Sequence, residues 1–459
     1  MMVTRAERKR AGKALRQQTP RSSHSEWAPP ADRPDPITLL QEQDKGRLQH
    51  LLPIKYGRMV ASPFAFLRGS AAVMAADLAS TPTTGLDVQL CGDAHLSNFG
   101  VFATPERKLV FDINDFDETH PGPWEWDLKR LAASAVVAGR ENGYSDKINR
   151  KLAKAVVDMY AKSMQKLAKA NTMDIWYFHV EAEKVQSVFE RASKESQRSA
   201  EKMVSEARQK TQEQTLDKLT TMVDGRRRFV SDPPLLVPLD EFLSEEQKEK
   251  ITVTQLENIW NQYLDSLPEE RRVLLSRFDL QDAALRVGGV GSVGTRCTIL
   301  LFEGSAKDDA IILQQKEAGP SVLEMYTEES KHESPAKRVV LGQRLMQAAS
   351  DIFLGWHKSE LSGHNYYWRQ LKDMKGSLDV ASLDEEGIET YLMVCAVCLA
   401  RAHARTGGPD SISGYIGNGK ALSRAIADFA LAYADQTEKD HQALQHAIES
   451  GLIIAETGI

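Results

Sequence analysis

Two short acidic loops, each leaving an apolar strand, restrict this chain more than any other feature. In "LDVQLCGDAHLSNFGVF" (86–102) and "KLVFDINDFDET" (108–119), Asp93, His95, Asn98, Asp112, Asp115 and Asp117 stand among residues suited to buried strands. A carboxylate or amide at such a strand end is costly to bury unless it is paired or faces a ligand. The fold must therefore bring these loops to a cleft, or supply partners for each side chain.

Composition narrows the setting. A chain of 459 residues, 42% hydrophobic and 27% charged, has enough apolar material for two or three lobes. The net charge of −6 gives no bulk attraction for nucleic acid or an acidic membrane, so neither partner is expected. Four scattered cysteines, Cys91, Cys297, Cys395 and Cys398, do not make a disulfide scaffold and fit a reducing cytoplasm. Cys395 and Cys398 sit in an apolar helical pattern and read as a buried helix face. Residues 1–21 carry seven Arg or Lys against one Glu, yet no apolar run follows, so neither a targeting signal nor an anchor is expected. No stretch of about 18 apolar residues that could span a membrane occurs.

Pattern changes divide the chain. Residues 1–36 read as a flexible basic tail and 37–165 as a unit of short strands and helices holding the acidic loops. Residues 166–275 read as a charged helical insertion, broken at "DGRRRFVSDPPLLVPL", where Arg226–Arg228 are expected in a solvated turn. Residues 276–375 give strand and turn signals, a small β lobe, and 376–459 give amphipathic helices. The fold class is α+β.

Within the β lobe, "GGVGSVGTRC" (288–297) holds Gly289, Gly291 and Gly294 in G-x-G-x-x-G spacing, with Ser292 inside the loop. A dinucleotide-binding loop would lead into a helix. Here the β-branched, apolar Cys297–Phe302 follows, which predicts a strand–loop–strand flap whose backbone can approach phosphates. The next strand ends in "LQQKEA", with Lys316 22 residues after Gly294. A lysine on a buried strand needs an anionic partner, which nucleotide phosphates would supply. The acidic loops offer the matching parts for phosphoryl transfer: Asp93 to orient a hydroxyl and take its proton, Asn98 to face a cation, and Asp115, 17 residues later, to hold a metal. Asp112 and Asp117 read as surface or hydrogen-bonding residues.

These segments resemble a known family. "CGDAHLSNFG" is similar to the H-G-D-x-H-x-x-N loop of aminoglycoside phosphotransferases and related small-molecule kinases, and "DFDETHPGPWEWDLKRLA" resembles their D-F-E segment, with the family's 12-residue interval matched by Asp115 and Asp127. The whole chain, through "SPFAFLRG", "WEWDLKRLAAS" and "GQRLMQAASDIFLGW", is similar to the bacterial domain of unknown function 2252, which is grouped with the protein-kinase-like fold. The resemblance implies an ATP- and Mg²⁺-dependent phosphotransferase acting on a hydroxyl of a small molecule. Asp93 would be the base and Asn98 and Asp115 the metal ligands. His95 would stand where protein kinases often place a phosphate-contacting lysine. Lys316 would bind nucleotide phosphates, with Glu324 as its ion-pair partner. Two departures stand out: Cys91 replaces the family's first His, and the Gly-rich loop follows the acidic loops in the chain. The second implies a circularly permuted, bilobal kinase-like fold. In it, the Gly-rich loop and Lys316 would roof the acidic loops, and the helix from about 388 to 404 would pack beneath them. Transfer of AMP to a protein, a non-catalytic nucleotide-binding regulator and, lower in rank, a metal-dependent hydrolase are the alternatives.

Overall fold

The computed structural model describes residues 3–210, 212–306, 309–371 and 374–459. The β signals assemble into one antiparallel six-stranded sheet, in the order Gly355–Lys358, Asn365–Gln370, Ala310–Ala318, Cys297–Glu303, Asp279–Arg286, Leu236–Pro238. Its register sets Cys297 opposite Lys316, Lys316 opposite Tyr367, and Gln314 opposite Arg369. Because side chains alternate along a strand, these residues share a face with Arg286. Farther along, that face is apolar and packs Ile299, Leu301 and Ile312 against Leu216 and Phe229. The reverse face buries Phe302, Leu313 and Trp368 beneath the helices Val253–Asp265 and Glu269–Leu275, with Tyr263 stacked on Trp368 at 4.4 Å.

The acidic loops belong to a second layer. Strand Asp87–Leu90 pairs with His120–Pro123, and between them Phe99–Ala103 and Leu109–Ile113 form a hairpin. The helices Trp124–Glu141, Asp146–Leu167 and Glu385–Thr406 pack behind this layer in the largest core, which takes in Cys91, Cys395 and Cys398. All four cysteines are free and buried, as the apolar pattern around the last two implied. No helix among the described residues is long and apolar enough to cross a membrane.

Two expectations are corrected. The segment expected to be a flexible tail is folded: helix Arg5–Ala14 lies against Pro409–Ile416 so closely that Gly12 meets the Ser411 carbonyl where a side chain would stand. Of its basic residues, Arg8 pairs with Asp410 near the start of that helix, while two reach carbonyls at its end, Arg16 on Tyr415 O at 2.8 Å and Arg21 on Ile416 O at 2.9 Å. Cations are favoured there by the helix dipole. The expected helical insertion is not one separate body either. Residues Ala182 to Ala207 join the core behind the acidic loops, whereas Leu216 to Leu275 wrap both faces of the sheet. Each of its apolar faces covers surface that would otherwise be wet. Arg226–Arg228 lie in a hairpin strand, with Arg228 reaching Asp282.

His357 tests the packing of the sheet. It is 2% exposed, accepts from Trp368 Nε1 at 2.8 Å, and burial pushes its pKa down to about 4. The unfolded chain then takes up the proton first, so His357 contributes stability that is complete above about pH 6.5 and is lost as the pH falls toward 4. The stability advantage of the wild type over His357→Gln is expected to shrink by about 1.4 kcal/mol per pH unit in that window. Urea titrations of both proteins at pH 7 and pH 5 measure it, and a constant difference would refute it.

Candidate functional site

The loop Cys91–His95 is held by its own backbone and by two helices. Gly92 has φ of 80° and sits against the Glu118 carbonyl, a place only glycine fills without strain. Asp127, 1% exposed at the start of the Trp124–Glu141 helix, accepts from Cys91 N at 2.8 Å and Gly92 N at 3.1 Å. His403 from the Glu385–Thr406 helix faces the same carboxylate at 3.2 Å. About three helical turns earlier, that helix reaches the loop's far end through Tyr391, whose hydroxyl donates to Leu96 O and Phe99 O at 2.9 and 3.0 Å. The helix expected beneath the loop is therefore there.

Asp93 is gripped by Arg130, whose Nε donates to Oδ1 at 2.6 Å, while Oδ2 faces His95 Nε2 at 3.6 Å. Burial lowers the His95 pKa to about 4 and outweighs the opposing pull of Asp93, so the imidazole is neutral at pH 7. Asn98 donates its amide N–H groups to the carbonyls of Asp93 and Asp115, both at 3.1 Å, which leaves its Oδ1 for a cation. For Asp115, burial would raise the pKa, but Lys316, Arg369 and Lys375 outweigh it and hold the carboxylate below its ordinary range. Asn98 and Asp115, which line the same cavity, could hold a divalent cation. Among the described residues no cluster of three His, Cys, Asp or Glu could hold a metal alone. Two protein ligands suit Mg²⁺, which keeps waters and takes phosphate oxygens for the rest.

The roof comes from the sheet. Asp93, His95, Asn98 and Asp115 line one cavity of about 510 Å³ together with Lys316, Gly289, Gly291 and Ser292. That volume is in the range of pockets that enclose small ligands. Lys316 is 3% exposed and pairs directly with Asp117, 199 residues away in the chain, while Tyr367 donates to the other oxygen of Asp117 at 2.7 Å. Burial alone would lower the lysine pKa; Asp115 and Asp117 outweigh it and keep the group charged. Arg369, bonded to Gln314 at 2.8 Å, adds a second, half-buried cation two residues beyond Tyr367.

Three sequence expectations change here. Glu324 is not the partner of Lys316: it takes Ser321 N at 2.9 Å and faces Arg338 Nε at 3.4 Å, away from the cavity. The partner is Asp117, expected only as a surface or hydrogen-bonding residue, because the strand register aims Lys316 down at the second acidic loop. Gly294 does not line the cavity. Its φ of 88° turns the chain out of the loop, and its carbonyl accepts from Leu48 N at 2.7 Å.

Other residues of the site carried no local motif. Arg338, 1% exposed on helix Pro335–Met346, donates to the carbonyls of Asp117 and Gly319 at 2.9 Å and fixes the second acidic loop. An arginine directly before the apolar run "VVL" was the available signal. The Gly-rich loop is tied down from helices before the acidic loops: Arg47 donates to Gly291 O and Val293 O at 2.9 and 2.6 Å, and Arg58 to Gly288 O at 2.5 Å. With its carbonyls thus engaged, the loop turns backbone toward the cavity at Gly289 and Gly291.

No curated protein and no solved structure matches the chain. A family model does match, over residues 47–447, and its description is "Uncharacterized protein conserved in bacteria (DUF2252)". That span covers the acidic loops, the Gly-rich loop, Lys316 and the helices that join them, and the chain belongs to this bacterial family.

Proposed function

We propose that the cavity binds Mg²⁺–ATP and directs its γ-phosphate to a hydroxyl of a small molecule, in a circularly permuted kinase-like fold. The observation that carries this reading is the direct pairing of Lys316 with Asp117, two residues beyond Asp115, inside a cavity also lined by Asp93, Asn98 and the Gly-rich loop. Five cations, Arg68, Arg286, Lys316, Arg369 and Lys375, line it against four carboxylates, Asp93, Asp115, Asp117 and Glu118. One of those carboxylates, Asp93, is already paired with Arg130, so a polyanion would find net positive charge.

In this reading each side chain has a stated task. Asp93, held by Arg130, orients the acceptor hydroxyl with Oδ2 and takes its proton. Asn98 Oδ1 and Asp115 would hold Mg²⁺, which when bound supplies positive charge to the phosphates. Lys316 and the Gly289–Ser292 backbone would cradle the phosphates, and the buried roof would keep water out. Asp127 fixes the catalytic loop by accepting from Cys91 N and Gly92 N. The protein-kinase-like likeness rests on this constellation and on the Glu385–Thr406 helix beneath the loop, with chain order reversed.

The test uses the full chain, Mg²⁺, a metabolite extract, and ATP labelled separately on the α and γ phosphates. Transfer of the γ label alone to a small molecule is the expected result. Transfer of the α label to protein would replace it with AMP transfer, and nucleotide binding without any transfer would make the protein a regulator.

A further inference from the structure

The cavity wall also holds residues that the acidic and Gly-rich motifs do not include: Gln43, from helix Pro36–Asp44, and Arg68, from helix Pro63–Gly69. The two helices reach the Gly-rich loop through Arg47 on Gly291 O and through the Arg68 carbonyl, which lies against Gly291. Arg68 therefore stands beside the Gly-rich loop, in the same cavity as Asp93.

Among the residues that line the cavity, four side-chain polar atoms are buried and have no hydrogen-bond partner in the structure: Gln43 Oε1, Arg68 Nε, His95 Nδ1 and Asn114 Oδ1. Buried polar groups are almost always satisfied, so four orphans around one cavity mark a place where another molecule completes the bonding. Arg68 is the most telling. Asp93 and Glu141 act on it only at a distance, and no carboxylate among the described residues forms an ion pair with it. Asp93 is not in hydrogen-bond or ion-pair contact with it; its close cation is Arg130. An unpaired guanidinium in a mostly buried position is expensive and is best served by a planar or tetrahedral anion that accepts two N–H groups.

Building on the phosphotransferase reading above, we propose that the acceptor is itself an anion. Its phosphate or carboxylate docks on Arg68, a second hydroxyl donates to Gln43 Oε1, and the hydroxyl to be modified is thereby presented to Asp93. Phosphate and carboxylate share the chemistry that Arg68 recognises, and the experiment separates them. The site also explains why the wall beside the catalytic aspartate is cationic as well as the wall beneath the sheet: one serves the acceptor, the other the nucleotide.

The test is calorimetric titration of the full chain, with saturating Mg²⁺ and a non-hydrolysable ATP analogue, using glycerol, glycerate, glycerol 3-phosphate and inorganic phosphate as probes. An anionic probe is expected to bind about tenfold or more tightly than glycerol, the scale of one charge-assisted hydrogen bond. Whichever of glycerate and the phosphates binds more tightly names the anion. Arg68→Gln is expected to remove the preference. Gln43→Glu, which adds a carboxylate to the same cavity wall, is expected to do the same and serves if Arg68→Gln does not fold. Equal binding of glycerol and the anions, no binding of any anion, or a preference that survives in both variants overturns the proposal. So does an anion preference that exists only without the analogue, since Arg68 would then hold the nucleotide's own phosphates. Titration of the analogue alone is read separately: if it does not bind while the Arg68-dependent anion preference persists, the phosphotransferase reading fails and the anion site stands.

Discussion

Asp93→Asn is expected to lower turnover by about two to four orders of magnitude, the usual contribution of a general base. The substitution keeps the shape of the side chain and an oxygen for Arg130, but removes the charge that accepts the hydroxyl proton. Its Oδ2, 3.6 Å from His95 and facing the cavity, is the atom in question. Arg130 loses an ionic partner and retains its bond to the Leu67 carbonyl at 2.9 Å, so some stability is lost as well. Rates are therefore compared at a temperature where both proteins are folded by circular dichroism. Release of the γ label at a wild-type rate by Asp93→Asn would remove Asp93 from the role of base.

The second large effect separates two aspartates three residues apart. Asp115→Ala is expected to fold and to lose the Mg²⁺ dependence of nucleotide binding, because Asp115 lines the cavity and faces Lys316, Arg369 and Lys375. Asp112→Ala is expected to unfold far more easily. Asp112 is 3% exposed and its Oδ1 accepts both from Ile113 N at 2.9 Å and from Arg401, which is itself 2% exposed. Removing it strands a buried guanidinium, a loss on the order of 3–5 kcal/mol. Urea unfolding and nucleotide titration with and without Mg²⁺ make the comparison. A stable Asp112→Ala protein that has lost its Mg²⁺ dependence would move the metal ligand to Asp112.

Much of the candidate site was legible because its parts are local. The alternation in "AALRV" and "CTILLF" around a glycine-rich turn specifies a strand–loop–strand flap without reference to the rest of the chain, and the structure has one. "LCGDAHLSNFG" likewise reads as a loop between apolar strands, and its Asp93, His95 and Asn98 line the cavity together. Residues whose job depends on a distant neighbour were not legible in this way. Lys316 could be seen to need an anion, yet Glu324, nearer in sequence, stood in for Asp117 until the strand register was known.

The basic segment before residue 36 shows the same limit from the other side. Taken alone, "RAERKRAGKALR" has too little apolar surface to fold and reads as a flexible tail. What orders it is the exposed carbonyl end of a helix nearly 400 residues later, where Arg16 and Arg21 find acceptors. Sequence by itself determined the elements, the chemistry each loop can offer and the order of the two motifs. Only the tertiary structure decided which cation meets which carboxylate and which arginine is left without one. Pairing energies depend on distance and burial, and those are set by contacts that no local pattern encodes.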